Sequence, residues 1–91
     1  MRKITLIRSK ENVETPIDME IIIDNRVLPL VFRKEDEKVS FELSNSEHTI
    51  QVGFKWRDRD YRSNAFLFLG KKDLTLVMKK SSSRITLLAD F

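Results

Sequence analysis

The chain has 91 residues, of which 41% are hydrophobic and 34% are charged, a composition typical of a folded domain rather than of a disordered segment. It contains no cysteine, which excludes disulfides and thiolate metal sites. Its 17 basic residues are interleaved with 14 acidic ones and form no block of like charge beyond Glu35–Glu37, whereas a dedicated DNA-binding protein usually concentrates its positive charge on one face. We expect a single domain over residues 1–91, because domains commonly hold about 100–150 residues.

The N-terminal sequence does not match a targeting or membrane segment. The apolar stretch Ile4–Ile7 is far shorter than the roughly 7–15 residues of a signal-peptide core. No run along the chain approaches the roughly 18–20 apolar residues of a membrane helix. The default expectation is a cytoplasmic protein without a membrane span, and a location at the cell envelope stays open.

Strand candidates follow one another along the chain, with turn residues between them. Strands are predicted at Lys3–Arg8, Asp18–Ile23, Val27–Phe32, Val39–Leu43, Ile50–Trp56, Asn64–Leu69, Leu74–Met78 and Arg84–Ala89. Polar loops are predicted at Ser9–Pro16, Lys34–Glu37, Arg57–Ser63 and Lys80–Ser83. A spacing of about 8–12 residues between strands is typical of antiparallel sandwiches and barrels. We predict an all-β antiparallel sandwich of about seven or eight strands, with essentially no helix.

The clearest alternation of apolar and polar residues lies in the middle of the chain. Its apolar positions are Val39, Phe41, Leu43, Ile50, Val52, Phe54 and Trp56. Side chains on a strand point to opposite faces in turn, so each run presents one apolar face to a core. The polar break Ser44–Glu47 predicts that the two runs form an antiparallel hairpin, with Trp56 as a core anchor.

Two local signals predict backbone geometry. Asp24 and Asn25 tolerate positive φ, as a tight primed hairpin turn requires. Pro29 lies inside a predicted strand and lacks the N–H needed for a ladder hydrogen bond, which indicates an edge strand or a bulge.

Several predicted strands are apolar on both faces: Ile21–Ile23, Leu30–Phe32, Ala65–Leu69 and Leu87-Leu88. Irregular strands with occasional exposed apolar residues would explain this pattern. The alternative is that the outer face of these strands is also covered, most simply by a second copy of the chain or by a protein partner. An apolar ligand groove is the third explanation. The candidate residues for self-association are Phe66, Phe68, Leu30 and Phe32.

The sequence gives little support to catalysis. His48 is the only histidine, and catalysis by histidine needs a nucleophile and an orienting carboxylate within reach. We interpret it as a half-buried residue bonded to backbone at the start of a strand. Glu35–Glu37 is interpreted as a solvated turn, and the chain lacks a phosphate-binding loop, a nucleophile elbow or a zinc motif. We therefore expect no enzyme activity, no metal and no cofactor.

One stretch has the composition of a recognition surface. Its basic and aromatic candidates are Lys55, Arg57, Arg59, Tyr61 and Arg62. Such residues stack on bases and pair with phosphates, or contact an acidic protein. An extended strand would place Lys55, Arg57 and Arg59 on one outward face, while Asp58 and Asp60 dilute the positive charge. A purely structural role is the third possibility.

Three segments carry a resemblance to a known group of modules: Ile21–Asn25, Val39–Leu43 and Ser46–Val52. Through them, residues Met19–Val52 resemble small bacterial β-sandwich modules of the PEGA-like kind and related immunoglobulin-like domains of unknown function. Two glycines of that pattern are replaced here, by Asn25 and Ser46. The resemblance implies a non-enzymatic accessory or interaction module of larger bacterial proteins, in which His48 is structural.

Together these observations predict a non-enzymatic binding or assembly module that contacts another protein or a second copy of itself. The alternative is a small basic β-barrel that binds nucleic acid or another polyanion through Lys55, Arg57, Arg59, Tyr61 and Arg62.

Overall fold

The fold is built from β-strands alone, in a computed structural model that describes residues 1–9, 18–33, 38–81 and 84–89. The strands are β1 (Arg2–Arg8), β2 (Met19–Ile23), β3 (Arg26–Phe32), β4 (Lys38–Leu43), β5 (His48–Trp56), β6 (Arg59–Arg62), β7 (Phe66–Phe68), β8 (Leu74–Ser81) and β9 (Arg84–Ala89). These nine strands confirm the all-β prediction and exceed the predicted number by at least one. The described residues include no helix that would be able to cross a lipid bilayer.

The strands form two sheets. The first has the order β4-β1-β8-β9, and the second has the order β3-β2-β5-β6, with β7 also paired to β5. Every pair is antiparallel except β1 with β8, which run parallel. The prediction of a wholly antiparallel architecture is therefore wrong at that pair. Parallel neighbours need a long crossover connection, which alternation within a strand does not reveal.

The apolar faces of the two sheets meet in one shared core, which confirms the predicted sandwich. Its most buried members are Ile4, Leu6, Leu76 and Leu87 from the first sheet and Met19, Ile21, Phe32, Ile50 and Val52 from the second. Full burial of one such side chain contributes roughly 1.5–3 kcal/mol. Alternation of apolar residues thus correctly predicts which faces turn inward.

The predicted central hairpin is wrong, because β4 and β5 belong to different sheets. β4 pairs with β1, whereas β5 pairs with β2. The segment Ser44–Glu47 therefore crosses from one sheet to the other instead of closing a hairpin. Both strands still face the same core, so their alternation is identical in either arrangement and cannot specify the partner strand.

The end of β5 also differs from the prediction. Trp56 is 54% exposed and is not a core anchor. The β5–β6 hairpin continues past the end of the buried layer, so an inward-facing position at Trp56 has no core residue to cover it.

The two local signals are confirmed. Asp24 and Asn25 have φ values of 51° and 65° in the turn between β2 and β3. The strand that holds Pro29 is an edge strand, with a register shift opposite Glu20 and Ile22. β8 extends to Ser81, into the predicted loop at 80–83, while the predicted turn at Lys34–Glu37 lies outside the described residues, as does most of the predicted loop Ser9–Pro16.

Candidate functional site

The recognition stretch of the sequence forms one hairpin, here called the basic hairpin and comprising Lys55–Arg62. It consists of the end of β5, the Arg57-Asp58 turn and β6. Within the basic hairpin the basic residues are Lys55, Arg57, Arg59 and Arg62, and the acidic residues are Asp58 and Asp60. All its side chains are exposed except Tyr61, which is half-buried.

The strand register divides the predicted binding residues between two faces. Trp56 lies opposite Arg59, and Phe54 lies opposite Tyr61, so these four side chains share one face. Lys55 lies opposite Asp60 and belongs to the other face, as does Arg62. An extended strand would have placed Lys55, Arg57 and Arg59 on one face, but β5 ends at Trp56 and the chain then reverses, so they do not share a face.

The first face of the basic hairpin is organised by aromatic rings. The rings of Phe54 and Tyr61 are stacked, with centroids 4.9 Å apart and planes 19° apart. Lys80 Nζ, from β8, lies 5.4 Å from the Phe54 centroid, and Arg57 Cζ lies 5.8 Å from the Trp56 ring. The Phe54–Tyr61 stack joins β5 to β6, the Lys80 contact joins β5 to β8, and the indole of Trp56 remains exposed to solvent.

The turn of the basic hairpin has a backbone geometry that arginine does not favour. Arg57 has a φ of 50° and Asp58 a φ of 63°. Left-handed backbone conformations cost an ordinary L-residue roughly 1–2 kcal/mol, and turns of this kind favour Asn-Gly. The turn therefore holds Arg57 in a backbone conformation that costs stability.

The second face contains a small open cleft of about 120 Å³. Its lining includes the apolar side chains of Ile22 and Val27 and the charged side chains of Glu20, Lys55, Asp60 and Arg62. Gly53 lies at the cleft, where an added Cβ would come within 2.6 Å of the Tyr61 backbone oxygen. A glycine is therefore required for β6 to lie this close to β5.

A buried serine attaches the basic hairpin to the rest of the second sheet. The Ser63 backbone N–H donates to the Val52 carbonyl at 2.8 Å, and the Val52 N–H donates to Ser63 Oγ at 3.0 Å. Gln51 Nε2 donates to the Ser63 carbonyl at 3.0 Å. These bonds continue the edge of β5 across the gap between β6 and β7.

The next residue joins the hairpin to the first sheet. The Leu87 N–H donates to Asn64 Oδ1 at 2.8 Å, and Asn64 Nδ2 donates to the Leu87 carbonyl at 3.2 Å. The side-chain amide thereby takes the place of a neighbouring strand on the edge of β9. The base of the basic hairpin is thus fixed to both sheets.

The residues predicted for self-association lie mostly on the inner faces of their strands. Phe32 is fully buried, and Leu30, Phe66 and Phe68 are half-buried against the core. The large exposed apolar side chains of the same strands are Val27, Val31 and Leu67. Self-association itself remains a prediction, but any contact through these strands would use the latter residues.

At the opposite end of β5, His48 lies between two side chains. Its Nε2 is 2.9 Å from Ser44 Oγ, and its Nδ1 is 2.7 Å from Asp24 Oδ2. The prediction of a half-buried histidine is confirmed, whereas the predicted backbone bonding of its ring is wrong. Sequence reasoning missed Asp24 because it is distant in sequence and reaches His48 only through the pairing of Ile23 with Ile50.

Hydrogen bonding holds the Asp24 carboxylate in its ionised form. The Thr49 backbone N–H donates to Asp24 Oδ1 at 2.9 Å, and His48 bonds the other oxygen. The Thr49 backbone bond, followed by the His48 bond, lowers the pKa of Asp24 below its ordinary value of 3.8.

Among the described residues, no three His, Cys, Asp or Glu side chains come together as metal ligands. Comparisons with known protein families, with curated proteins and with solved structures find no match for this chain.

Proposed function

We propose that this chain is a binding module that recognises an acidic partner through the basic hairpin. The observation that carries the proposal is the exposed indole of Trp56, with Arg57 Cζ 5.8 Å from its ring and Arg59 directly opposite. The binding role requires no catalytic group and no cofactor.

The composition of this surface supports a binding role. Tryptophan, tyrosine and arginine dominate the residues that contribute most to protein interfaces. The large indole of Trp56 is 54% exposed, and burying this area against a partner is favourable. The strained conformation of Arg57 supports the same conclusion, because strain of this kind is concentrated at functional sites.

An acidic protein surface is the first candidate partner. Asp58 and Asp60 alternate with the cations, and such mixed charge favours a partner that offers individual carboxylates over a uniform phosphate backbone. Single-stranded nucleic acid is the second candidate, because exposed Trp56 and the adjacent arginines provide a stacking surface with phosphate-binding groups.

The proposal agrees with the PEGA-like resemblance, which implies accessory modules attached to larger bacterial proteins. The immunoglobulin-like relationship and a cytoplasmic location belong to the proposal as well. The basic hairpin, the Ser63 bonds and the Asn64 bonds do not depend on any of these.

Trp56 is the only tryptophan, so its fluorescence reports directly on the proposed site. The protein is titrated with poly-glutamate and, separately, with single-stranded oligothymidine, at about 20 mM and about 200 mM salt. We expect a change in emission at low salt that weakens strongly at high salt. A response to poly-glutamate alone supports the acidic protein, and a tighter response to oligothymidine supports nucleic acid.

Two double variants, each of which removes two positive charges, separate the role of the basic hairpin from that of net charge. Arg57→Ser with Arg59→Ser removes two cations beside Trp56, and Lys71→Ser with Lys72→Ser removes two exposed cations elsewhere. We expect the arginine variant to weaken binding at least about tenfold and the lysine variant to weaken it only slightly. No emission change with either ligand at low salt, or an equal loss in both variants, contradicts the proposal.

A further inference from the structure

Three side chains from separate elements form a hydrogen-bonded chain at the end of β5 far from the basic hairpin. Ser44 follows β4, His48 begins β5, and Asp24 lies in the turn between β2 and β3. The distances are 2.9 Å from Ser44 Oγ to His48 Nε2 and 2.7 Å from His48 Nδ1 to Asp24 Oδ2. We call this arrangement the Ser-His-Asp chain.

The hydrogen bonds of the Ser-His-Asp chain define its proton positions. An ionised carboxylate accepts hydrogen bonds but donates none, so His48 Nδ1 carries the proton that it shares with Asp24. In the neutral imidazole, Nε2 is then the unprotonated nitrogen and accepts the hydrogen of the Ser44 hydroxyl. A hydroxyl bonded to a base that a third group orients is the arrangement of an activated nucleophile.

We propose that Ser44 is an activated nucleophile that accepts an acyl group from an activated ester or thioester. Ser44 Oγ bonds to the carbonyl carbon of the donor while its proton passes to His48 Nε2. The bond from the carbonyl carbon to the leaving oxygen or sulfur then breaks, and the leaving group takes the proton from Nε2. The products are acyl-Ser44 and a free alcohol or thiol, with His48 neutral again.

The surroundings hold these groups in place. Asp24 is fixed through its second carboxylate oxygen by the Thr49 N–H. The buried guanidinium of Arg2 donates to the carbonyls of Ser46 and Gly70, which ties down the segment that carries Ser44. Geometry that is fixed before the donor arrives is the main requirement for such a reaction.

The exposure of the Ser-His-Asp chain limits the class of donor. Ser44 is exposed and the His48 side chain is only 14% exposed, so the nucleophile is accessible while its base is shielded. A surface site exposed to water gives an oxyanion less electrostatic stabilisation than an enclosed pocket. Donors with a good leaving group therefore fit this site, and peptide amides do not.

The inference is independent of the proposed binding function and is tested with a fluorophosphonate probe, which reacts with activated serines by losing fluoride. Mass spectrometry of the digested protein locates the label. We expect label on Ser44 in the wild-type chain and none in Ser44→Ala. Because general bases contribute about 10²–10⁴-fold, His48→Gln is expected to slow labelling about 100-fold or more. Asp24→Asn is expected to slow it in the same direction.

Ser46→Ala provides the matched control, because it removes a second exposed hydroxyl of the same segment and should leave the labelling rate unchanged. Circular dichroism of each variant verifies that it is folded. Release of p-nitrophenolate from p-nitrophenyl acetate, with acetate found on Ser44, gives a second readout. The inference is overturned if folded wild-type protein shows no label on Ser44, or if His48→Gln is labelled at the wild-type rate.

Discussion

Replacing the Arg57-Asp58 turn with Asn-Gly should stabilise the fold and weaken binding. Both residues have positive φ, and the left-handed region costs an ordinary residue such as arginine roughly 1–2 kcal/mol. Glycine loses more conformational entropy on folding than other residues, which offsets roughly 0.5–1 kcal/mol of the relieved strain. We therefore expect a net stabilisation of about 1 kcal/mol. For a domain of this size, that corresponds to a rise in Tm of about 4–8 °C, measured by circular dichroism.

The turn between β2 and β3 provides the control. Asn25 has a φ of 65°, which asparagine tolerates, so Asn25→Gly should change stability by less than about 0.5 kcal/mol. In the Trp56 titration, the Asn-Gly turn should bind more weakly because it lacks Arg57, and Asn25→Gly should bind normally. An unchanged or lower Tm for the Asn-Gly turn refutes the conclusion that Arg57 is kept in place at a cost in stability.

Three further substitutions test the packing around this site and the Asp24 interaction. Gly53→Ala should destabilise the fold by about 1–3 kcal/mol in urea unfolding, because its Cβ would meet the Tyr61 oxygen at 2.6 Å; full stability would mean that β6 shifts freely. Ser63→Ala should cost about 1–3 kcal/mol by leaving the buried Val52 N–H without its partner, and a neutral result would show that water replaces the hydroxyl. The lowered pKa of Asp24 gives stability that is present above 3.8 and is lost as the pH falls through the folded-state pKa. Wild type should therefore exceed Asp24→Asn in Tm at about pH 6, with the gap closing as the pH falls below 3.8 through the lowered pKa of Asp24, and a gap independent of pH contradicts this reasoning.

Sequence alone predicts the faces of the strands, since inward burial depends only on a period of two. Ile50 and Val52 are buried as their alternation indicates, and the turn at Asp24-Asn25 follows from residues that tolerate positive φ. The sequence does not predict which strands pair. The pairing of β1 with β4 and of β2 with β5 is set by the whole chain and leaves no local mark in Ser44–Glu47.

The candidate site was predicted in composition but not in geometry. All five predicted residues lie on the basic hairpin, yet β6 went unrecognised because its residues are polar on both faces and its turn contains neither glycine nor asparagine. Alternation predicts a buried Trp56, because it carries no information about where the sandwich ends. The sequence does not predict the contact of His48 with Asp24 either, because that contact depends on which strands pair.

The two proposed sites occupy opposite ends of β5, so each should respond only to changes at its own end. His48 and Trp56 are the first and last residues of this strand, and at about 3.3 Å per residue they lie roughly 26 Å apart. Changes so distant and without shared contacts have additive effects. Arg57→Ser with Arg59→Ser should therefore leave Ser44 labelling within about twofold of wild type, and His48→Gln should leave the Trp56 titration equally unaffected. If either variant alters both readouts, the common cause is a change along β5 itself, and neither loss then identifies a residue that contacts a ligand.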